Sequence, residues 1–287
     1  MRMVDAPFVI GLRHLDRFDA LHSPAGLSRW LAARVDEGLH WYDHALSDSR
    51  DHAPLLGRAI GLDRRLRHRL ELVLRAGVIP ALHDDSGLGI KHYDSRPAYL
   101  ERALDDTLAT LGLERVNTLI LMRPDPLMDV EATGRALDNI VASGRALHTG
   151  VANFLPAQWR HLQSAMHTPL ACQQMEMSIA RSQMLFDGLW ETLLQDGMQG
   201  LAGSPLWGGR IFENQVGETL TRIGQQRGAS PAGVALAWLA TIPGRPIPVV
   251  GSLRERRLRD LQQDADLRLT RPEWFALLEA ARACRVA

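Results

Sequence analysis

Lysine and tyrosine are scarce in this 287-residue chain. Lysine and arginine together number 33, yet Lys91 is the only lysine, so arginine supplies the rest of the basic side chains. Tyrosine occurs three times, as Tyr42, Tyr93 and Tyr99. A reaction that needs a lysine ammonium group would therefore have to use Lys91, and one that needs a phenol has three candidates.

Cysteine, net charge and long apolar runs are also lacking. Two cysteines, Cys172 and Cys284, are too few for a disulfide framework or a cysteine-rich zinc site. Basic and acidic residues balance at 33 each, so no net field attracts nucleic acid or an anionic membrane. No window reaches the roughly 18 apolar residues of a membrane span, and no signal-peptide pattern opens the chain. We expect a cytoplasmic protein whose partner is a small molecule, with no metal site.

Short apolar runs alternate with amphipathic helical stretches along the whole chain, a pattern typical of βα units around a parallel sheet. The length suits a single (β/α)8 TIM barrel of about 250 residues, which predicts one domain over residues 1–287. Spacing alone leaves a doubly wound sheet open. The eight apolar runs are 8–12, 39–42, 70–74, 118–121, 147–151, 170–172, 198–202 and 247–250.

Helix ends and one long loop can also be read from the pattern. Gly38, Gly112 and Gly144 stand where predicted helices stop, as expected for residues that tolerate a left-handed backbone. The third apolar run is followed by a long polar connection, 80–96, which contains Lys91 and Tyr93. In a barrel such a loop lies over the C-terminal mouth, where substrate often binds.

The fourth run leads into the segment 122–129, with the sequence Met-Arg-Pro-Asp-Pro-Leu-Met-Asp. Two prolines at alternate positions stop a strand and stiffen its exit, so the segment predicts a rigid turn. It also resembles the H-R-P-D-P-L-M-D segment of a bacterial branch of the aldo-keto reductases. Met122 stands where that family has a histidine.

Further resemblances to the aldo-keto reductases cover almost the full length, about residues 8–280, and lie at consecutive predicted strand ends. The family consists of single-domain (β/α)8 barrels that reduce carbonyl groups with NADPH, so the resemblance implies this fold and chemistry. The similar segments are 38–45 (G-x-x-x-x-D-[TH]-A), 72–77 (the lysine strand), 150–154 (G-V-S-N-F), 173–176 (N-Q-V-E), 201–209 (S-P-L-x-x-G) and 248–252 (the last strand).

The resemblance implies a catalytic tetrad that is largely replaced. In the family a tyrosine is the general acid, an aspartate and a lysine lower its pKa, and a histidine orients the carbonyl. Asp43 matches the aspartate, Arg75 stands at the lysine, Met122 stands at the histidine, and Asp48 is the best match for the tyrosine. Arg75 and Asp43 are expected to form an ion pair, which supplies no transferable proton.

Few other residues are candidates to replace the missing acid. Tyr42 precedes Asp43 in a strand, so its side chain should face the helix layer. Tyr93 and Lys91 lie on the polar loop, where a donor is held less rigidly than on a strand. His52 is the best local substitute, because histidine titrates near neutral pH, although a plain surface histidine is the alternative.

The resemblance also implies an NADP(H) site that the sequence changes weaken or remove. Gly203 stands where the family often stacks an aromatic ring on the nicotinamide, and that face is missing here. The arginines near residue 254 suit a phosphate, although an arginine-rich helix start is otherwise a solvated surface. The matching positions are Asn153 and Gln174 for the carboxamide, Ser204, Leu206 and Gly208 for the pyrophosphate, and Ser252, Arg254 and Arg257 for the adenosine 2′-phosphate.

Three functions remain open on the sequence. The first is an NADP(H)-binding protein of oxidoreductase origin with altered or weak carbonyl reduction on a small molecule. The second is a catalytically dead barrel that serves as a ligand sensor or interaction subunit. The third is a non-redox lyase or dehydratase that uses Asp43, Asp48 or His52 as acid and base.

Overall fold

A computed structural model describes residues 3–46, 52–83 and 87–282. Asp48, the sequence match to the family tyrosine, lies outside these residues. Ten strands occur in the described chain, and all except β4 and β5 belong to the barrel. In chain order they are β1 Val9–Gly11, β2 Trp41–Ala45, β3 Glu71–Ala76, β4 Val78–Ile79, β5 His92–Tyr93, β6 Val116–Leu121, β7 Ala146–Ala152, β8 Cys172–Glu176, β9 Gln199–Gly203 and β10 Ile247–Val250.

Eight strands close a parallel barrel in the order β1-β10-β9-β8-β7-β6-β3-β2. This arrangement, with helices between the strands, confirms the predicted (β/α)8 fold. β2 pairs with β3 in parallel, and the register sets Asp43 opposite Val73 and Ala45 opposite Arg75. β3 pairs with β6, where Arg75 lies opposite Ile120. These two registers position the side chains of the candidate site.

The chain separates into two compact units, residues 10–173 and residues 3–9 with 174–282. The first unit contains α1 Pro24–Asp36, α2 Ala53–Leu62, α3 Leu66–Arg69, α4 Pro97–Leu111, α5 Val130–Ala142 and α6 Pro156–Ser164. The second contains α7 Leu189–Gln195, α8 Asn214–Arg227, α9 Pro231–Ala240, α10 Glu255–Gln263 and α11 Arg271–Arg282. None of the helices in the described residues has the length and hydropathy that a membrane crossing needs.

Helix α4 shows how local sequence sets an element. Pro97 occupies the first turn, where its missing N–H costs nothing, and Gly112 ends the helix in the left-handed conformation with φ 64°. Four leucines spaced by three and four residues are buried, which stabilises the helix by roughly 1.5–3 kcal/mol for each side chain. These leucines are Leu100, Leu104, Leu108 and Leu111.

The opposite faces of β2 carry different chemistry. Tyr42 is buried and meets the ring of Trp30 on α1 edge-on, with ring centroids 6.4 Å apart. The predicted direction of Tyr42, into the helix layer, is therefore confirmed. Asp43, the next residue, is 1% exposed and pairs with Arg75 of β3. Alternation along one strand thus separates a packing residue from a functional candidate.

Two predicted elements differ from the structure. The apolar run 170–172 meets its strand only at Cys172, because β8 continues through polar residues to Glu176. The connection 80–96 is not a plain loop, since β4 and β5 pair as an antiparallel hairpin with Val78 opposite Tyr93. Two-residue strands are too short to produce a period-2 signal, which explains why the sequence pattern did not predict them.

Candidate active site

The first unit brings Asp43 and Arg75 into direct contact. The Arg75 Nε donates to both carboxylate oxygens of Asp43 at 3.0 Å, and Nη2 donates to Oδ1 at 2.7 Å. The register explains this reach, because Arg75 lies opposite Ala45 and its long side chain extends back by two residues to Asp43. The predicted ion pair is confirmed.

Burial makes this pair different from a surface ion pair. Asp43 is 1% exposed at its side chain and Arg75 is 13% exposed. Hydrogen bonds between ionised partners are about twice as strong as neutral ones, and a buried pair is screened little by water or salt. A guanidinium group keeps its proton at any relevant pH, so Arg75 can donate hydrogen bonds but cannot act as a general acid.

Met122 follows directly after β6 and is half-buried. Its backbone N–H donates to the carbonyl oxygen of Ala76 at 2.8 Å, and its own carbonyl oxygen accepts a bond from Asn153 Nδ2 at 3.4 Å. The side chain of Met122 ends in a thioether, which has no proton to donate to a substrate carbonyl. Asn153 follows β7 with φ 60°, a left-handed conformation that asparagine tolerates better than most residues.

The rest of the segment 122–129 has structural roles that the sequence did not reveal. Asp125 accepts hydrogen bonds from the backbone N–H and hydroxyl of Ser95, at 3.2 and 2.9 Å, and from the N–H of Leu127. Asp129 caps α5, where its Oδ1 accepts from the N–H of Ala132 at 2.9 Å. The segment therefore fixes a turn and starts a helix, consistent with the predicted rigid turn.

None of the three tyrosines bonds to Asp43 or Arg75. The hydroxyl of Tyr42 donates to the carbonyl oxygen of Leu39 at 3.1 Å, and burial raises its pKa well above the usual range. Burial also raises the pKa of Tyr99, although a hydrogen bond with the Gly77 backbone partly offsets this effect. Tyr93 lies on β5 and is 39% exposed.

His52 is not the surface histidine that the sequence allowed as an alternative, because it is 7% exposed and lies directly before α2. Its carbonyl oxygen accepts the N–H of Leu56 at 2.9 Å and so helps to start the helix. Its imidazole makes no hydrogen bond or ion pair with Asp43 or Arg75. A role for His52 as an acid therefore stays a prediction.

Cys172 is a buried free thiol in the same unit. Burial raises its pKa to about 12, and the negative charge of Asp43 contributes in the same direction. Such a thiol carries almost no thiolate at neutral pH and is unreactive. Gly150, in the segment similar to G-V-S-N-F, leaves room for it, since a Cβ atom there would lie too close to the sulfur and backbone of Cys172.

The predicted pyrophosphate residues lie in the second unit, on a tight turn after β9. Ser204 has φ 51°, and its carbonyl oxygen accepts the N–H of Trp207 at 2.8 Å. The carbonyl oxygen of Leu206 accepts the N–H of Gly209 at 2.7 Å, and Gly208 has φ 68°. Gln174, the first residue of the main segment of this unit, lies on β8 and is 7% exposed.

Trp207 is a residue of this turn whose environment the sequence did not predict. It adopts a left-handed backbone with φ 47°, which is uncommon for a bulky residue. The guanidinium of Arg210 lies 3.9 Å from its ring centroid and that of Arg181 lies 5.9 Å away. Its indole Nε1 is buried and finds no acceptor among the described residues. An unused donor near two cations suits a phosphate oxygen.

The predicted 2′-phosphate residues lie at the start of α10. Arg254 is the N-cap residue, and its N–H is 3.5 Å from the hydroxyl oxygen of Ser252. Arg254 and Arg257 are exposed and pair with no carboxylate in the described chain, whereas Arg259 binds Glu255 at 3.3 Å. Two free guanidinium groups at a helix N-terminus fit a phosphate group. No cluster of histidine, cysteine or acidic side chains in residues 3–46, 52–83 and 87–282 has the composition of a metal site.

The family of this chain follows from its similarity to known proteins. Residues 10–282 match the Aldo/keto reductase family. The chain belongs to the aldo/keto reductase family. The 6-dehydroglucose reductase of Agrobacterium fabrum is 33% identical to this chain, and the alignment covers 94% of this chain and 92% of the relative. An oxidoreductase of Escherichia coli, YdhF, is 30% identical over 96% of this chain and 93% of its own length.

Solved structures agree on the fold of this family member. A thermostable aldo-keto reductase in complex with the inhibitor epalrestat has a TM-score of 0.80 and 23% identity, and the alignment covers 96% of this chain and 95% of that one. An aldo/keto reductase from Klebsiella pneumoniae in complex with NADP and acetate has a TM-score of 0.77 and 20% identity, over 94% and 89% of the two chains. At these identities the likeness extends to the barrel alone.

Proposed function

We propose that this aldo/keto reductase binds NADP(H) and carries out altered or weak carbonyl reduction on a small molecule. NADP(H), when bound, supplies the hydride for such a reaction. The observation that carries the proposal is the pair of Asp43 and Arg75, which keeps the charges of the family site but contains no proton for transfer. The oxidoreductase relatives support the same reaction class.

The residues in place are suited to binding and orientation more than to acid catalysis. Arg254 and Arg257 would hold a phosphate, and Asn153 would face the carboxamide. A positioned general acid contributes about 10²- to 10⁴-fold in rate, roughly 3–5 kcal/mol of barrier, so its loss leaves slow turnover. Met122 removes a second polar contact with the carbonyl, because its thioether does not donate.

We also propose a class of substrate. The name of the Agrobacterium relative, 6-dehydroglucose reductase, favours a polar carbonyl compound such as an oxidised sugar. The proposed partner is a small molecule, and the equal numbers of acidic and basic residues favour neither nucleic acid nor membrane as a partner.

The first test is a titration with NADPH followed by protein and nucleotide fluorescence. We expect saturable binding, and we expect Arg254→Met with Arg257→Met to weaken NADPH binding about tenfold or more while leaving NADH binding much less affected. Arg259→Met is the matched control on the same helix, because Arg259 already pairs with Glu255. No binding of NADPH at millimolar concentrations would reject the proposal.

The second test is turnover with a panel of aldehydes, ketones and oxidised sugars. Slow NADPH oxidation that depends on the carbonyl compound supports the proposal. NADPH binding without turnover on any member would favour a catalytically dead ligand sensor, for which the Asp43–Arg75 ion pair, with no proton to transfer, is the supporting observation. Activity that survives removal of nucleotide and disappears in Asp43→Asn would indicate a lyase or dehydratase.

A further inference from the structure

The guanidinium of Arg75 uses only one of its edges to hold Asp43. The bonds to the carboxylate come from Nε and Nη2, the side-on arrangement. Nη1 makes no hydrogen bond with any described residue. The edge formed by Nη1 and the second proton of Nη2 is therefore uncommitted. Donors left unpaired in a largely buried side chain cost free energy unless a ligand or water satisfies them.

The uncommitted edge belongs to Arg75, the more exposed residue of the ion pair. Asp43 is 1% exposed, whereas Arg75 retains 13% exposure, so solvent reaches the pair through the arginine. The residues opposite Arg75 on the two neighbouring strands, Ala45 and Ile120, are apolar and at most 2% exposed. They offer no acceptor to the free edge, and their low polarity strengthens any hydrogen bond that a ligand makes there.

We propose that Arg75 is a ligand-binding residue that takes the carboxylate of a small carbonyl-bearing acid on its free edge. Two parallel N–H groups match the two oxygens of a carboxylate in a fork that no ammonium group reproduces. The inference rests on the proposed function, because it names the substrate class of the same site. It also separates this protein from reductases of neutral carbonyl compounds.

Charge balance sets the selectivity of this site. Asp43 offsets the charge of Arg75, so a bound carboxylate gains from fork geometry more than from net attraction. Met122 adds no donor after β6, which leaves Arg75 as the polar anchor near the C-terminal end of β3. Replacing Arg75 by lysine keeps the charge but removes the fork, and the affinity for a carboxylate should fall.

The test is calorimetric titration of the full-length protein without nucleotide. The probes are pyruvate and benzoylformate, one small and one aromatic, each compared with its neutral amide. We expect the wild type to bind at least one acid and to bind the matching amide about 10- to 100-fold more weakly, the range for hydrogen bonds to a charged group. Arg75→Lys and Arg75→Met should weaken binding of that acid by a similar factor.

Arg65→Met is the matched control, because Arg65 holds Asp63 through the same donor atoms, Nε at 3.0 Å and Nη2 at 2.7 Å, but is 74% exposed. It should bind the acid as the wild type does. Circular dichroism melting verifies that each variant is folded, and Arg75→Lys keeps the test informative if Arg75→Met unfolds. The inference would be overturned by any of three results. The wild type could bind acid and amide equally, folded Arg75→Lys could bind the acid as tightly as the wild type, or neither acid could bind at millimolar concentrations. NADPH titration of the same samples reports separately on the proposed function.

Discussion

Arg75 binds Asp43 through the same guanidinium edge, Nε and Nη2, with which Arg65 binds Asp63 on the surface, but the Asp43 carboxylate is 1% exposed. The two pairs share this donor edge and differ in solvent access. A surface pair is screened by water and gains little net stability. A buried pair is costly to break, because the remaining partner keeps its charge in a poorly polar environment.

Removal of one partner from the buried pair should therefore destabilise the fold. Arg75→Met leaves the carboxylate of Asp43 buried without its guanidinium partner, and we expect the free energy of unfolding to fall by about 3–5 kcal/mol. The double change Asp43→Leu with Arg75→Met should recover most of this loss, because replacing both charged side chains by apolar ones removes the buried carboxylate charge. Urea unfolding followed by circular dichroism measures both effects.

Arg65→Met provides the control for this comparison, and its urea midpoint should stay close to that of the wild type because the side chain is 74% exposed. A similar loss in Arg65→Met and Arg75→Met would contradict the explanation by burial. So would a double variant that is less stable than Arg75→Met alone.

The fold was largely predictable from the sequence, for reasons visible in single elements. β10 coincides with the apolar run 247–250, and α4 ends before Gly112, where the sequence predicts that a helix stops. The predicted position of β8 was too early in the chain, because Gln173 and Gln174 are buried in the strand although they are polar. The side chain of Gln173 donates to the carbonyl oxygen of Phe154 at 2.6 Å, a long-range contact that no local pattern shows.

The candidate site was predictable where it depends on strand order. Adjacent strand ends predicted that Asp43 and Arg75 would meet. Their side-on bonds were not predictable, because they follow from the register that sets Arg75 opposite Ala45. The contacts of the Trp207 ring with two guanidinium groups were not predictable either. Arg181, one of these two neighbours, lies on a separate segment of the chain.

Tyr42 adjoins Asp43 in sequence, and the structure predicts that it has no catalytic role. In Tyr42→Phe the carbonyl oxygen of Leu39 loses its donor, so we expect a loss of about 1–2 kcal/mol in the free energy of unfolding. NADPH-dependent turnover, assayed well below the melting temperature, should equal that of the wild type. A fall of tenfold or more in kcat with unchanged KM would show that the phenol takes part in the reaction.

Asp138 on α5 should make stability depend on acid pH. Burial raises its pKa, but bonds from the N–H of His167 at 2.7 Å, the N–H of Thr168 at 2.9 Å and the Thr168 hydroxyl outweigh burial, and the pKa lies below its usual value. A lowered native pKa stabilises the fold above the unfolded value of about 4, and the stabilisation is lost as pH falls from there through the native pKa.

The corresponding variant is Asp138→Asn, whose unfolding free energy should be lower than that of the wild type at neutral pH. The difference between the two proteins should shrink as the pH falls below about 4. Urea titrations across this range measure the difference, and Asp106→Asn, on the exposed face of α4, is the control. A constant difference at every pH would mean that the carboxylate charge of Asp138 is not what stabilises the fold.

Gly203 offers a gain-of-function test of the nucleotide site. A Cβ atom there would lie 3.2 Å from the carbonyl oxygen of Met175, its nearest contact, so a side chain needs only a small adjustment. Gly203→Phe should supply an aromatic face and tighten NADPH binding by about 0.5–1.5 kcal/mol, a few-fold to about tenfold. Gly203→Ala adds the Cβ atom without the ring and should bind as the wild type does. Weaker binding in the phenylalanine variant alone would argue against a nicotinamide beside Gly203.

Restoration of the family tetrad tests whether its loss is what limits the reaction. The triple change Asp48→Tyr, Arg75→Lys and Met122→His returns the acid, the cation that lowers its pKa and the carbonyl donor, while Asp43 stays in place. We expect kcat for NADPH-dependent carbonyl reduction to rise by about 10²- to 10⁴-fold. The single changes should each give less than about tenfold, because residues that act as a unit contribute non-additively.

The control is the same triple variant with Tyr42→Phe, which should keep the restored rate because Tyr42 faces the helix layer. A triple variant that binds NADPH as tightly as the wild type but reduces no carbonyl faster would mean that the mouth of the barrel has changed beyond its tetrad. In that case the family chemistry is blocked by the shape of the site, and Arg75 is better understood as a ligand anchor than as a replaced lysine.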